Sequence, residues 1–174
     1  FNGAAAQSLL GTATTTTFYN LTLAKSGGDV TLGHDADLAT NGTLTLTQGR
    51  VVTAANRLYV GQGGTISGGG TSSYVAGNLQ RYVGGGNQTL SWPVGGTDSA
   101  SFSPVSLDIT NVSTPGNVQV ASSLVAGDHP NIATSSLDAS RSLNRYWTIT
   151  NVTPIAFTSA IATFAYQGAD VDSG

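Results

Sequence analysis

The residues predict an all-β chain: a short β-solenoid (β-helix-like) stretch followed by an antiparallel β-sandwich. Three observations carry this expectation. From Phe18 to Ser67, apolar–polar–apolar triplets recur between turns made of Gly, Asn, Asp and Ser: Leu21-Thr22-Leu23, Val30-Thr31-Leu32, Leu44-Thr45-Leu46 and Leu58-Tyr59-Val60. A triplet cannot bury one face on its own, so the recurrence implies similar units stacked into a continuous core. Gly, Ser and Thr supply 66 of the 174 residues, whereas Glu, Met and Cys are absent and Lys25 is the single lysine. The scarce residues are mostly good helix formers, and those in excess favour strands and turns. Beyond Ser73, finally, longer alternating stretches separated by turns run almost to the end, which is the pattern of a sandwich.

Residues 1–17 read as an ordinary first coil, with Phe1, Leu9 and Leu10 as apolar contacts and Gly3 and Gly11 as bends. The alternative is a strand that pairs with another subunit, since an exposed solenoid end leaves strand edges open. Triplet starts at Leu21, Val30, Leu44, Val51, Leu58 and Thr65 are 9, 14, 7, 7 and 7 residues apart, so two or three segments make a coil of about 20 residues. Side chains alternate along a strand. Leu21, Leu23, Leu32, Leu44, Leu46, Leu58 and Val60 therefore fill the core, with Thr22, Thr31, Thr45 and Tyr59 outside. Gly27-Gly28, Asn41-Gly42, Gly49, Gly61 and Gly63-Gly64 make the corners. Asn41-Gly42 is also a hairpin signal, which keeps an antiparallel meander as the competing arrangement.

The Gly/Ser cluster Ser67–Ser73 reads as a hinge or boundary, dividing the chain into a solenoid segment at 1–70 and a sandwich domain at 71–174. Expected sandwich strands are Tyr74–Val83, Thr89–Val94, Phe102–Val112, Asn117–Val125, Leu143–Val152 and Ile155–Gln167, with a helical turn within Ser135–Leu143. Val105, Leu107 and Ile109 alternate with Ser106, Asp108 and Thr110, giving one buried and one wet face. Trp92, Phe102, Tyr146, Trp147, Phe157 and Phe164 are the expected aromatic core.

Charged residues make up only 9% of the chain, so solubility rests on hydroxyls and amides. A formal charge of -3 argues against nucleic acid, because neutralising phosphates needs clustered Lys or Arg. No apolar run approaches the roughly 20 residues of a membrane-crossing helix, so membrane insertion is not expected. Without Cys there is no disulfide framework. The chain starts at Phe1 with no signal peptide, which reads as an internal fragment or processed product. Five Asn-x-Ser/Thr sequons, at Asn20, Asn41, Asn87, Asn111 and Asn151, are expected by chance at this Ser/Thr content.

The candidate sites are few. His34-Asp35-Ala36-Asp37 offers oxygens for Ca²⁺ but lacks the acidic partner twelve positions on, and Asp170 and Asp172 offer a second, junctional Ca²⁺ position. Solvated corners and ends are the competing reading for both, and no other cofactor is expected. Asp128-His129-Pro130-Asn131 and Asp138 suggest a general base but lack a nucleophile context, so a loop held by side-chain-to-backbone hydrogen bonds is preferred. Arg50 and Arg57 suit a sugar carboxylate or a polar outer face. Thr43, Thr45 and Thr47 suggest an ice-binding ladder, but Tyr59 and Arg57 at the outer positions of other coils break it, and β-branched propensity on a solvated strand accounts for the threonines. Trp92, Tyr82 and Tyr74 suit sugar stacking or, preferably, core packing.

The motifs TTTFYNLTL, NGTLTLT, GGTISGG, SYVAGNLQRYV, WPVG, FSPVSLDIT, GDHPNI and SLNRYWTIT resemble a recurring unit of large secreted bacterial proteins. These are the β-strand-repeat, adhesin-like surface proteins of the Bacteroidetes, many exported by the type IX route. The resemblance implies a cell-surface or extracellular location and further strands beyond Asp170-Val171-Asp172. The function expected is a non-enzymatic structural module, acting as adhesin, stalk or fibre subunit. Its expected partners are neighbouring modules or identical subunits, met through open strand edges, with glycans as further candidates. Phe1, Leu9, Leu10, Phe164 and Tyr166 are the candidate interface residues. A carbohydrate-binding module is the alternative, and a polysaccharide-active β-helix enzyme the third reading.

Overall fold

The computed structural model describes residues 1–98 and 101–172. Twelve strands run through it: β1 (Gln7–Leu9), β2 (Thr15–Ala24), β3 (Val30–Leu32), β4 (Asp35–Val60), β5 (Thr65–Gly68), β6 (Ser73–Val83), β7 (Gly86–Trp92), β8 (Val94–Gly95), β9 (Val105–Val112), β10 (Gly116–Ser122), β11 (Trp147–Thr153) and β12 (Ser159–Phe164). No α-helix occurs among the described residues.

Strands β1 to β6 wind a parallel solenoid. Its first face is the ladder Gln7, Val30, Val51, Val75 and Val94, whose steps are 23, 21, 24 and 19 residues. A second face stacks Thr15–Phe18 on Asp35–Leu38, and Arg57–Val60 on Asn78–Arg81. A third stacks Leu21 and Leu23 on Leu44 and Leu46, and these on Ile66 and Gly68. Three segments therefore make one coil, slightly longer than the sequence spacing suggests, and the parallel pairing decides against the meander.

Alternation within each rung sends Leu21, Leu23, Leu32, Leu44, Leu46, Leu58 and Val60 inward, all buried. A fully buried Leu contributes about 2 kcal/mol, so this interior supplies much of the fold's stability. Corners turn where positive φ is tolerated, for example at Asn41 (φ 63) and Gly49 (φ 92).

The first coil is anchored from below by Lys25. Its side chain is 1% exposed, and Nζ donates to the carbonyl of Ala5, to Gln7 Oε1 (2.9 Å) and to the Asn2 carbonyl (3.3 Å). The Ala24 amide donates to the Phe1 carbonyl at 2.9 Å. One buried ammonium thus holds the otherwise weakly patterned residues 2–7 against the stack.

The Gly/Ser stretch 67–73, read from sequence as a hinge or boundary, is hydrogen-bonded into the stack. Strand β5 pairs with β4, the Gly69 amide donates to the Leu46 carbonyl (3.1 Å), and Gly70 and Ser73 bond each other. The chain turns there inside the stack. Strand β6, on the far side of the expected boundary, continues the solenoid: it runs parallel to β4 and carries β8 as the next rung. Its other edge pairs antiparallel with β10, which pairs with β11. One sheet therefore runs from the solenoid into the sandwich.

A second sheet, in the order β12-β9-β7, covers it. Val105, Leu107 and Ile109 face inward as the alternation predicts, and Leu44 and Val105 belong to the same buried cluster.

The aromatic core is smaller than expected. Trp92 is fully buried, but Phe157 and Phe164 are 43% and 41% exposed. The cause lies in β11 and β12, each of which pairs on one side only. Ala160 and Ala162 occupy inward-parity positions of β12 and are too short to fill the space opposite Ile149. A groove of ≈ 250 Å³ remains between Leu107, Ile109, Val118, Ile149, Phe157 and Ala160. The expected helical turn at 135–143 is a 3-10 turn at Ala139–Arg141, and another lies at Ile132–Thr134.

Candidate binding cleft and open strand edges

At one end of this seam several aromatic side chains gather. Strand β11 begins at Trp147 and β12 ends at Phe164, and the two rings lie 5.1 Å apart between centroids. Trp147 is held in place by its indole N–H, which donates to the Ser103 carbonyl at 2.9 Å. Tyr146, one residue earlier, meets His129 edge to face at 4.9 Å. With Tyr166 and Leu137 these residues line a cleft of ≈ 370 Å³ whose walls are mostly apolar.

Arg145 also lines the cleft and belongs to an ion cluster. Arg145 Nη2 and Nε donate to Asp170 Oδ1 at 2.8 and 3.2 Å, Nη2 reaches Asp98 Oδ2 at 3.3 Å, and Nη1 donates to the Ser123 carbonyl at 3.0 Å. Burial pushes the Asp98 carboxyl up. The Ala126 amide, the nearby Ser101 hydroxyl and Arg145 outweigh that and hold it below its ordinary value. Asp172 accepts from the Ser142 amide (3.1 Å) and from Asn144 Nδ2, while Asp128 accepts from the Ser142 hydroxyl. The segment after β12 is thus hooked onto the loop before β11.

These contacts overturn several expectations. Asp170 and Asp172 are not solvated ends; their oxygens are taken by Arg145, Gln167, Ser142 and Asn144. Asp35 and Asp37 are not a solvated corner. They sit in β4, one coil before Arg57, and both accept from its guanidinium (3.2 and 3.1 Å). Neither pair converges on a cation position, and among the described residues no group of three or more His, Asp or Glu is placed to hold a metal. His34 is buried and shares a 2.7 Å hydrogen bond with Thr16 Oγ1. Arg50, like Arg57 read as a partner for a sugar carboxylate or part of a polar outer face, is forked onto Asp29 at 2.9 and 3.0 Å. Both arginines therefore tie one coil to the next.

His129 and Asp128 are each engaged by other residues of the loop. The His129 Nδ1 accepts from the Asn131 amide (3.2 Å), and Asp138 caps the turn by accepting from the Ser140 amide (2.9 Å). Side-chain-to-backbone bonds hold this loop, as preferred from sequence. Trp92 and Tyr74 are core residues, and Tyr82 is half-buried.

The threonine ladder changes more. Arg57 and Tyr59 belong to the second face and do not interrupt it. On the third face the outward positions stack as Asn20–Thr43–Thr65 and Thr22–Thr45–Ser67, with the Thr43 and Thr65 hydroxyls 3.1 Å apart. The grid is regular but only three coils deep.

Of the candidate interface residues, Phe1 and Leu9 are half-buried and pack on the core, whereas Leu10, Phe164 and Tyr166 are 75%, 41% and 52% exposed. The cleft itself is absent from the sequence reading. Its available signal was the pair of clusters Tyr146-Trp147 and Phe164-x-Tyr166 at the two ends of consecutive strands.

One ion pair is open to a direct test. Asp37 is pushed above its ordinary value by burial, Arg57 opposes this, and Asp35 adds to it. For a carboxyl raised in the folded state, folding favours the neutral form, so stability falls as pH rises through that range. Asp37→Asn is accordingly expected to leave stability at neutral pH within about 0.5 kcal/mol or raise it. Asp35→Ala, which removes the acceptor of the Arg57 amide (3.0 Å), is expected to cost about 1–2 kcal/mol. Urea titration of both variants at pH 7 reads the difference, and a larger loss for Asp37→Asn would contradict it.

No family model matches the chain, and no curated protein or solved structure matches it either.

Proposed function

We propose that this chain is a non-enzymatic structural module of a large bacterial cell-surface or extracellular protein, serving as adhesin, stalk or fibre segment through strand stacking and edge contacts. The observation that carries the reading is the distribution of charge over strand edges. Strands β1 and β2 form the first coil, and β11 and β12 each pair on one side only. Residues 1–24 and 146–169, which contain all four strands, hold none of the chain's charged side chains. Edge strands are ordinarily blunted by charge, proline or bulges, because unpaired N–H and C=O groups template pairing with another chain. These edges lack the charged safeguard and suit contact with a neighbouring module or an identical subunit.

Two further features support the reading. Arg50 and Arg57 lock successive coils, which suits a spacer that resists extension. The carboxylates Asp35, Asp37, Asp170 and Asp172 are engaged by arginine and amide donors, which suits structure better than acid–base chemistry.

The test is assembly. Purified protein is expected to form end-to-end multimers as concentration rises, visible by light scattering and negative-stain electron microscopy. Leu10→Lys and Ile161→Lys, at positions 75% and 68% exposed, are expected to keep it monomeric without loss of folding. A wild-type chain that stays monomeric across the whole concentration range would overturn the edge-pairing mechanism.

A further inference from the structure

We infer that the cleft formed by His129, Leu137, Tyr146, Trp147, Phe164 and Tyr166 is a binding site for a neutral saccharide. Size is the first argument. At ≈ 370 Å³ the cleft lies near the low end of the roughly 300–1,000 Å³ range of small-ligand sites, room for one or two sugar rings rather than a folded partner.

Charge is the second. Arg145 lines the cleft and is already held by Asp98 and Asp170, and Ser142, also in the lining, is engaged by Asp128 and Asp172. An anionic or cationic ligand would have to break these bonds, whereas an uncharged one leaves them intact. Arg145 is 1% exposed in its side chain and cannot turn outward to meet a carboxylate without vacating the ion cluster.

The third argument is the character of the walls. Aromatic rings offer flat faces to the C–H side of a pyranose, and Tyr146, Tyr166 and His129 add polar tips able to exchange hydrogen bonds with its hydroxyls. An acyl chain would leave those polar groups unused. The platform is also rigid. Trp147 is fixed through Ser103, Phe164 rests on Trp147, and the segment after Tyr166 is tied down by Asp170 on Arg145. Little ordering is then left for the ligand to impose. This site does not depend on the edge contacts proposed above.

The chain has two tryptophans, and Trp92 is fully buried, so a ligand in the cleft is reported by Trp147. Titration with neutral hexasaccharides of β-glucan, mannan and xylan, followed by tryptophan emission and by calorimetry, is expected to show saturable binding of at least one. Its dissociation constant should lie at or below about 1 mM. Tyr166→Ala is expected to weaken that binding at least tenfold. Tyr19→Ala, at an aromatic 63% exposed on the first coil, should leave it unchanged, with far-ultraviolet circular dichroism confirming both folds. Three results would overturn the inference: no binding of any of these glycans, undiminished binding by Tyr166→Ala, or equal loss in Tyr19→Ala, which marks unspecific adherence to exposed rings.

Discussion

Arg145→Met is expected to destabilise the chain by about 3–5 kcal/mol, the range for breaking a buried ion pair from one side. The Asp170 side chain is 4% exposed and depends on Arg145 for two of its hydrogen bonds, so the variant strands a carboxylate in the interior. The Ser123 carbonyl loses its 3.0 Å guanidinium donor as well, and Asp98 loses its cation. Replacing both partners tests the cause. Arg145→Met with Asp170→Leu removes the stranded charge and is expected to recover most of the loss, because the cost lies in the unpaired group and not in the absence of the bridge. Urea denaturation at pH 7 followed by circular dichroism measures both. A single variant costing under 1 kcal/mol, or a double variant no more stable than the single, would refute this account of the cluster.

The same cluster predicts the acid limb. Asp98 is held below its ordinary 3.8 in the folded chain. A carboxyl depressed by folding stabilises above its unfolded pKa and loses that contribution as pH falls through the folded value. Stability is therefore expected to drop below about pH 4, and Asp98→Asn should flatten the drop.

What could be seen in the residues beforehand divides along sequence distance. The solenoid interior was legible because each triplet repeats its own inside–outside code, and an alternation that recurs can be read without knowing its partners. Faces were harder. Arg57 and Tyr59 looked like breaks in a threonine ladder because neighbouring triplets were compared. The ladder joins residues 22 or 23 apart, and Thr22, Thr45 and Ser67 share a face to which Arg57 does not belong. Ion pairs suffered in the same way: Asp29–Arg50 and Asp35–Arg57 are close only once the coil length is known. The sandwich strands were found from alternation, but Phe157 and Phe164 were placed inside because exposure at β11 and β12 depends on what the opposite sheet lacks. Ala160 and Ala162 look innocuous in sequence, and only the packing turns them into an open seam. Asp170 lies 25 residues from Arg145 and 72 from Asp98, too far for any spacing rule to join them.

Gly42→Ala is expected to cost about 3 kcal/mol, at the upper end of overpacking penalties. Asn41-Gly42 carries the composition of a hairpin turn, yet here Gly42 serves the close approach of one coil to the next. A Cβ at this position would lie 2.1 Å from the Tyr19 carbonyl oxygen and 3.0 Å from that of Ala39. Both obstacles are backbone, so no rotamer change relieves them, and the first coil must lift away from the second. That movement strains the Asn20–Thr43 step, where Asn20 Oδ1 accepts from the Thr43 amide at 2.9 Å, and the Leu21–Leu44 contact behind it. Gly70→Ala is the control. It meets nothing within 4 Å and should change stability by less than about 0.5 kcal/mol. Hydrogen exchange adds location to the magnitude: amides of β2 are expected to exchange faster in Gly42→Ala, while those of β9 and β10 keep their protection relative to global stability. Equal stability of the two variants would place the coil contact elsewhere. The expected result also bears on assembly, since β2 is the edge proposed to meet a neighbour. A first coil loosened from its stack, without any added charge, should lose end-to-end contacts together with its protection.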